Sequence, residues 1–428
     1  MIKQYIRQAF YQIRTQPVLS AISILGTAFA IFMIMLIIMM QQVKTEPYAP
    51  ESNRDRMLYV KWMTLYEKAG SIDNSSNSPL SVKTARECIR SLKTPEAVTI
   101  YTSLHSAMQA NIPGGVAFSA DVKQADEQFW KVFDLSFVDG KPFDEAASEA
   151  GLKVAVVSEN IARALYGTVN VVGKQLELDY SNYRICGVVK DVSTLASEAY
   201  SEVWIPYYST DIKKMSWNDN LMGVMRVAIL ARSKDDFSKI RSEFDAKLNQ
   251  YVAGLGNVAI SFRGQPDTQE KFVYRKWANV EPDMKRIHNR RLLVFVLLLL
   301  IPAINLSSMT QSRLNQRVTE IGVRRSFGST KGNIMWQIFC ENLILTLVAG
   351  FIGLILCFLF VLLFGSTVLS SSTLMMYNSA PVVNLLMLMH VSTFIYAFLF
   401  CLMMNLLSSA FPAWRALKVS ITSALSNR

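Results

Sequence analysis

Histidine is scarce in this chain. His105, His288 and His390 are the three present, and none belongs to an HExxH pair. No GxSxG elbow occurs either, so neither zinc-hydrolase nor serine-hydrolase chemistry has a sequence basis. The five cysteines include no CxxC pair and no other metal-ligand spacing, which excludes zinc-ribbon and thioredoxin-type readings. GxxxxGK[ST] is absent too, so the sequence shows no loop of its own to cradle nucleotide phosphates. Acidic residues are the most unevenly spread. Outside residues 41–290 they number two, Glu320 and Glu341, against 12 basic ones.

Long apolar runs are what the chain does have. Residues 18–40 carry no charge over 23 positions, and about 20 apolar residues suffice to cross a hydrocarbon core of roughly 30 Å. No small-x-small cleavage site follows the run, which reads as an uncleaved anchor rather than a signal peptide. Further spans are expected at 292–310, 337–364 and 385–411. The fold class is therefore a membrane protein of four transmembrane helices, with a large α/β extracytoplasmic domain at 41–291 between the first and second. Residues 1–17 place Ile2, Ile6, Phe10 and Ile13 on one stripe and predict an interfacial helix. A coupling segment at 311–336, an outer loop at 365–384 and a tail at 412–428 complete the division.

Charge gives the orientation. Of 44 basic and 33 acidic residues, 32 and 31 lie between 41 and 290, so the large domain is nearly neutral. The remaining cations cluster at the N-terminus, the 311–336 connection and the tail, which places all three on the cytosolic side and the large domain outside. The net charge of +11 is then topological and carries no evidence for nucleic acid. Within the large domain, strands are expected at 57–66, 116–122, 153–157, 183–189 and 223–230. A helix is expected at 235–251, where Phe237, Ile240, Phe244, Leu248 and Tyr251 share a face. Residues 141–151 read as a connection between subdomains, and 268–291 as one helix entering the second span. Cys88 and Cys186 are either bridged or two buried thiols. Within the first span, Gly26 with Ala30 and Ser23 with Thr27 are small pairs that would admit another helix. The spans offer no obvious polar path.

The segment after the second span carries the most specific pattern. On a helix from Arg313, the residues Arg313, Arg317, Glu320 and Arg324 fall on one polar stripe, with Leu314, Val318 and Ile321 beside it. Arg325 falls on the apolar side, in reach of a partner or a lipid phosphate. Gly328 predicts a left-handed stop between two helices. Glu341 sits at the membrane edge, where a carboxylate either snorkels or pairs with one of those arginines.

The run EIGVRRSFGSTKGNI followed by FCENLIL resembles the signature of the MacB/FtsX-type ABC transporter permeases, and the tail PAWRALKVSITSAL is similar to that family's ending. EQFWKVFDLSFVDGKPF, VVSENIARALYG and VGKQLELDYSNYRICGVVKDV look like its MacB-like periplasmic core domain. The resemblance implies a non-enzymatic permease subunit in the bacterial inner membrane, with both termini cytosolic. It implies an ABC ATPase subunit as partner, touching Arg313, Arg317, Glu320, Gly322, Arg324, Arg325 and Gly328. ATP would act through that subunit, with no cofactor on this chain and no metal. A second permease copy or a related permease, and a periplasmic adaptor, are further implied partners, with export or mechanotransmission as the activity. Phe327 departs from the family, which usually has small residues at this place. A transmembrane sensor is the rival reading, and it needs a cytosolic partner of the same kind.

Overall fold

A computed structural model describes residue 14 and residues 17–103, 106–370 and 391–418. The helix expected over 1–17 lies outside these apart from Arg14 and Pro17, as do most of the 365–384 loop and the end of the tail. The main helices are α1 (Pro17–Thr45), α2 (Glu159–Tyr166), α3 (Phe237–Gly254), α4 (Gln269–Tyr274), α5 (Met284–Gln316), α6 (Val318–Ser326), α7 (Lys331–Ser370) and α8 (Val391–Lys418). The chain divides into two compact units. One comprises Met1–Gln42, Met284–Val368 and Asn384–Arg428, and the other Val43–Asp283 with Leu369–Val383.

The first unit is helical. Among the described residues, three helical stretches are long and apolar enough to cross a membrane: Ser20–Thr45, Lys331–Gly365 and Ser392–Ala410. The span expected at 292–310 falls within α5. α7 lies against α1 at glycines. A Cβ on Gly353 would come within 2.6 Å of the Ala28 carbonyl oxygen, and one on Gly350 within 2.5 Å of Cys401 Sγ on α8. Gly26 is exposed while Ser23, Thr27 and Ala30 are buried. The close approach on α1 thus uses the Ser23 and Thr27 face, and the glycines that permit it belong to α7. Leu299 and Ala303 on α5 pack on Met404 of α8, and Gln42 at the end of α1 accepts from Thr393 at 2.6 Å and donates to Ser392 at 2.9 Å.

The bundle holds buried polar residues. Ser20, Ser23, Thr27, Thr346, Asn405 and Ser408 are buried. They form no channel. Thr27 and Thr346 bond back to the carbonyls of Ser23 and Asn342 at 2.7 and 2.8 Å. The void lined by Ser23, Thr27, Thr346 and Ser408 is about 10 Å³, the size of one water at most. These groups act as interhelical contacts of the kind small polar residues make in lipid.

The second unit is built on a sheet that closes on itself. Ser181–Val189 pairs with Gln175–Leu178 on one side and, in parallel, with Val154–Ser158 on the other. The ladder continues through Val203–Pro206, Phe118–Ala125 and Ser106–Asn111 back to Gln175–Leu178, a ring of six strands. Val122, Val157, Leu176, Ile185, Val203 and Ile205 are among the buried residues of its core. The sheet extends through Ala97–Thr102, Met225–Leu230 and Met57–Val60. α3 covers this extension by the face anticipated from its spacing, with Ile240 and Phe244 buried and Phe237, Leu248 and Tyr251 packed alongside.

Two local expectations are corrected and a third gains detail. Residues 57–66 form two strands, Met57–Val60 and Met63–Glu67, in different sheets. The buried Gln265 carboxamide causes the switch, accepting from the Lys61 and Trp62 amides at 2.7 and 3.2 Å and donating to the Trp62 carbonyl at 2.7 Å. Residues 268–291 hold two helices, α4 and the start of α5: α4 stops where Arg275 turns extended, at ψ 97°, and pairs with buried Asp267, and Pro282 bars a continuous ladder just before Met284. Residues 141–151 contain a helix, Glu145–Glu149, capped by the Asp144 carboxylate accepting from the Ala147 amide at 2.9 Å. Cys88 and Cys186 are unbridged thiols, the first buried and the second half-buried.

Gly353→Leu is expected to lower the melting temperature of the full chain in detergent, an overpacking effect of about 1–3 kcal/mol. Gly332→Ala, where an added Cβ meets nothing within 4 Å, should leave it unchanged. Differential scanning fluorimetry separates the two, and equal melting of both variants would show that α1 and α7 do not pack at Gly353.

Candidate functional site

The polar stripe anticipated after the second span is real, but it is bent. α5 ends at Gln316 and α6 starts at Val318, with Arg317 between them at φ −108° and ψ 9°. β-Branched Val318 and Thr319 are weak helix formers at this place, and the Arg317 side chain is held on both sides. Its Nε donates to Glu320 Oε2 and its Nη1 to Glu341 Oε2, each at 3.1 Å. Arg324 donates to Glu320 Oε1 at 2.7 Å and to Gln337 Oε1 at 2.9 Å. Gln337 in turn donates to Glu341 Oε1 at 2.9 Å. The five side chains form a closed ring that ties α6 to α7.

Burial decides which links matter. The Glu320 and Arg324 side chains are 43% and 38% exposed, so that i, i+4 pair stabilises by about 0.3–0.5 kcal/mol. Glu341 is 6% exposed, and a carboxylate at that depth requires a cationic or hydrogen-bonding partner. It has both, in Arg317 and Gln337. Of the two readings open for Glu341, pairing is the one observed.

The turn beyond the ring is fixed by backbone geometry. Gly328 adopts φ +93°. The Gly328 amide donates to the Arg325 carbonyl and the Ser329 amide to the Arg324 carbonyl, both at 3.1 Å, the paired bonds of a Schellman stop. Thr330 then caps α7, its hydroxyl accepting from the Asn333 amide at 3.2 Å. Leu314, Ile334 and Ile338 form a small core with Ile321 against it, so α6 and α7 lie side by side as a hairpin. Gly322 is buried within it, and Arg325 is half-buried. Arg313 lies on α5, where its backbone alone is described. The structure thus unites Arg317, Glu320, Arg324 and Glu341 and adds Gln337, which sequence reasoning missed. Its signal was the four-residue spacing from Glu341.

Among the described residues of the second unit, two of the buried ion pairs are close in sequence to a helix of the first. Arg54 and Glu51, 2% and 1% exposed, pair at 2.6 Å. Arg54 also donates to the carbonyls of Val43 and Glu46 at 2.9 and 3.1 Å, and so satisfies the last turn of α1. Glu51 accepts from the Glu198 and Ala199 amides, both at 3.0 Å. Arg275 and Asp267, both wholly buried, form the other pair nine residues before α5 begins, and Arg275 donates to the Arg263 carbonyl at 2.9 Å. Gln269 donates to the Lys44 carbonyl at 2.8 Å. Lys123 lies buried near Glu198, and burial pushes its amine down to about 7. None of these residues was legible as functional from the sequence.

Glu341→Ala is expected to destabilise the full chain by about 2 kcal/mol, because it leaves Arg317 and Gln337 short of an acceptor. Glu320→Ala should cost under ~0.5 kcal/mol. Thermal melts in detergent read the difference, and equal effects would contradict the ring as a burial-driven unit.

Comparison with known proteins agrees with this architecture. The family description "MacB-like periplasmic core domain" matches residues 20–247, and "FtsX-like permease C-terminal" matches 292–421. Among relatives, the uncharacterized ABC transporter permease YknZ of Bacillus subtilis is 22% identical over 239 residues, covering 55% of this chain and 55% of that protein. The pyoverdine export ATP-binding/permease protein PvdT of Pseudomonas aeruginosa is 23% identical over 266 residues, 60% of this chain and 38% of its own length. The macrolide export ATP-binding/permease protein MacB of Burkholderia cenocepacia is 26% identical over 243 residues, 55% of this chain and 33% of its own length. The chain thus spans about half or less of the length of these curated relatives. Among solved structures, the periplasmic region of MacB from Actinobacillus actinomycetemcomitans aligns with a TM-score of 0.33 and 20% identity, over 48% of this chain and 89% of that one. With one family description covering more than half of the chain and the second following it in order, the chain belongs to the MacB/FtsX-type permeases, membrane proteins with an extracytoplasmic domain.

Proposed function

We propose that this chain is the membrane subunit of an ABC-type system in which a separate ATPase acts on the hairpin of α6 and α7, and the extracytoplasmic domain delivers the work. The observation that carries the reading is the ring from Arg317 to Glu341. It fastens a water-exposed, cation-bearing hairpin to the head of a helix that is uncharged from Asn342 to its end, so a push on the hairpin reaches the span. Arg313, Arg317, Glu320, Gly322, Arg324, Arg325 and Gly328 are the coupling element in this reading. Arg317, Glu320 and Arg324 stiffen it, Gly328 turns it, and Arg325 contributes charge.

α5 supplies the fourth span in this account. Leu292, Leu293, Val296, Leu297, Leu300 and Ile304 leave its apolar surface exposed, as a lipid-facing helix requires. Four spans and the distribution of cations put both termini and the hairpin in the cytosol of a bacterial inner membrane. The buried pairs Arg54–Glu51 and Arg275–Asp267 lie within the large domain, close in sequence to α1 and α5. Export and mechanotransmission both fit, and the narrow polar centre of the bundle favours work done on the outer domain over passage of a solute. A second permease copy and a periplasmic adaptor complete the assembly in this reading, and ATP enters through the ATPase alone.

Arg324→Glu combined with Arg325→Glu is expected to reduce permease-stimulated ATP hydrolysis at least tenfold without loss of membrane insertion. Hydrolysis by the reconstituted complex and alkaline extraction of membranes check the two halves. Full stimulation by the double variant would contradict the assignment.

A further inference from the structure

Phe327 is the most anomalous side chain of the hairpin. It is 87% exposed, in a position fixed by the Gly328 stop, and Val323, one turn earlier, is also exposed at 40%. Lipid is the first explanation to weigh for an exposed aromatic in a membrane protein, and the helical rise argues against it. The uncharged part of α7 begins just after Glu341, which marks the inner edge of the apolar core. Trp336 is five residues before Glu341, about 7.5 Å along the axis at 1.5 Å per residue. That is the level of the headgroup layer, roughly 5–8 Å thick on each side, and an exposed, amphipathic Trp suits it. Phe327 lies beyond the start of α7, which is itself ten residues before Glu341, and Phe327 is fourteen residues from Glu341 by one strand of the hairpin and ten from Arg317 by the other. That is about 15 Å out, past the headgroups and in water.

A rigidly held, fully hydrated Phe flanked by cations has the form of an interface anchor. We infer that Phe327, with Val323 beside it, inserts into an apolar socket with an acidic rim on the ATPase subunit, and selects which ATPase this permease accepts. The acidic rim follows from charge complementarity, since residues 311–336 carry five cations, Arg313, Arg317, Arg324, Arg325 and Lys331, against Glu320 alone. This rests on the coupling role proposed above and adds the chemistry of the partner's surface.

The test uses the full-length permease in nanodiscs, with the ATPase that co-purifies with it titrated back by biolayer interferometry. Phe327→Ala is expected to weaken binding about 30-fold, as the loss of a buried aromatic anchor does, while Phe327→Leu keeps binding within a few-fold. Both variants should melt with the wild type, because an exposed side chain contributes little to folding. Unchanged binding by Phe327→Ala, with binding lost in the Arg324→Glu, Arg325→Glu variant, would overturn the anchor and leave the coupling role standing. If the wild type itself binds no ATPase, the coupling role falls and the anchor with it. A nitroxide label at position 327 that meets oxygen in the bilayer more readily than a water-soluble nickel chelate would place the side chain in lipid, and would likewise overturn the inference.

Discussion

A carboxylate only 6% exposed must be paired, and Glu341 imposes that constraint on everything near it. Its partners, Arg317 and Gln337, come from the far side of a break in the chain and from its own helix. Satisfying both fixes the distance between α6 and α7. Glu320, the second acceptor of both Arg317 and Arg324, then closes the ring at the exposed end, where each bond is weak alone but the geometry is already set. A hairpin held in this way resists bending relative to the rest of α7, as the coupling role proposed for it requires.

The large domain applies the same logic in a water-soluble setting. Arg54 satisfies carbonyls at the end of α1 while paired with Glu51, which in turn holds the 198–199 backbone. Arg275 and Asp267 hold the segment that leads toward α5. Removing one member of such a pair strands a buried charge, so these pairs are expensive to open. The closed ring of six strands removes sheet edges on that side of the domain.

Much of this was visible in the sequence, for identifiable reasons. Apolar runs and the asymmetry of cations expose spans at once, and α3 was legible because its five apolar residues keep a helical period. Gly328 announced its stop because few residues other than glycine adopt φ near +90°. The ring was only half legible. Spacing put Arg317, Glu320 and Arg324 on one face, but the bend at Arg317 and the contribution of Gln337 depend on tertiary pairing that no local pattern encodes. The split of residues 57–66 depends on Gln265, some 200 positions away in the chain, and so could not be read from the strand itself. Ala97–Thr102 was missed because it is buried along its whole length and so lacks the alternation that marks a half-exposed strand. The glycines of α7 were overlooked in favour of Gly26 because small-residue spacing does not say which helix supplies the close approach.

In the proposed function, nucleotide bound by a separate ATPase on one side of the membrane acts on a domain on the other. Hydrogen–deuterium exchange of the complex in nanodiscs, with and without a non-hydrolysable ATP analogue, addresses it directly. The account predicts altered exchange within residues 43–283 when the analogue binds, although no nucleotide reaches that domain. Identical exchange of the large domain in both states, in a complex shown to bind the analogue, would contradict it.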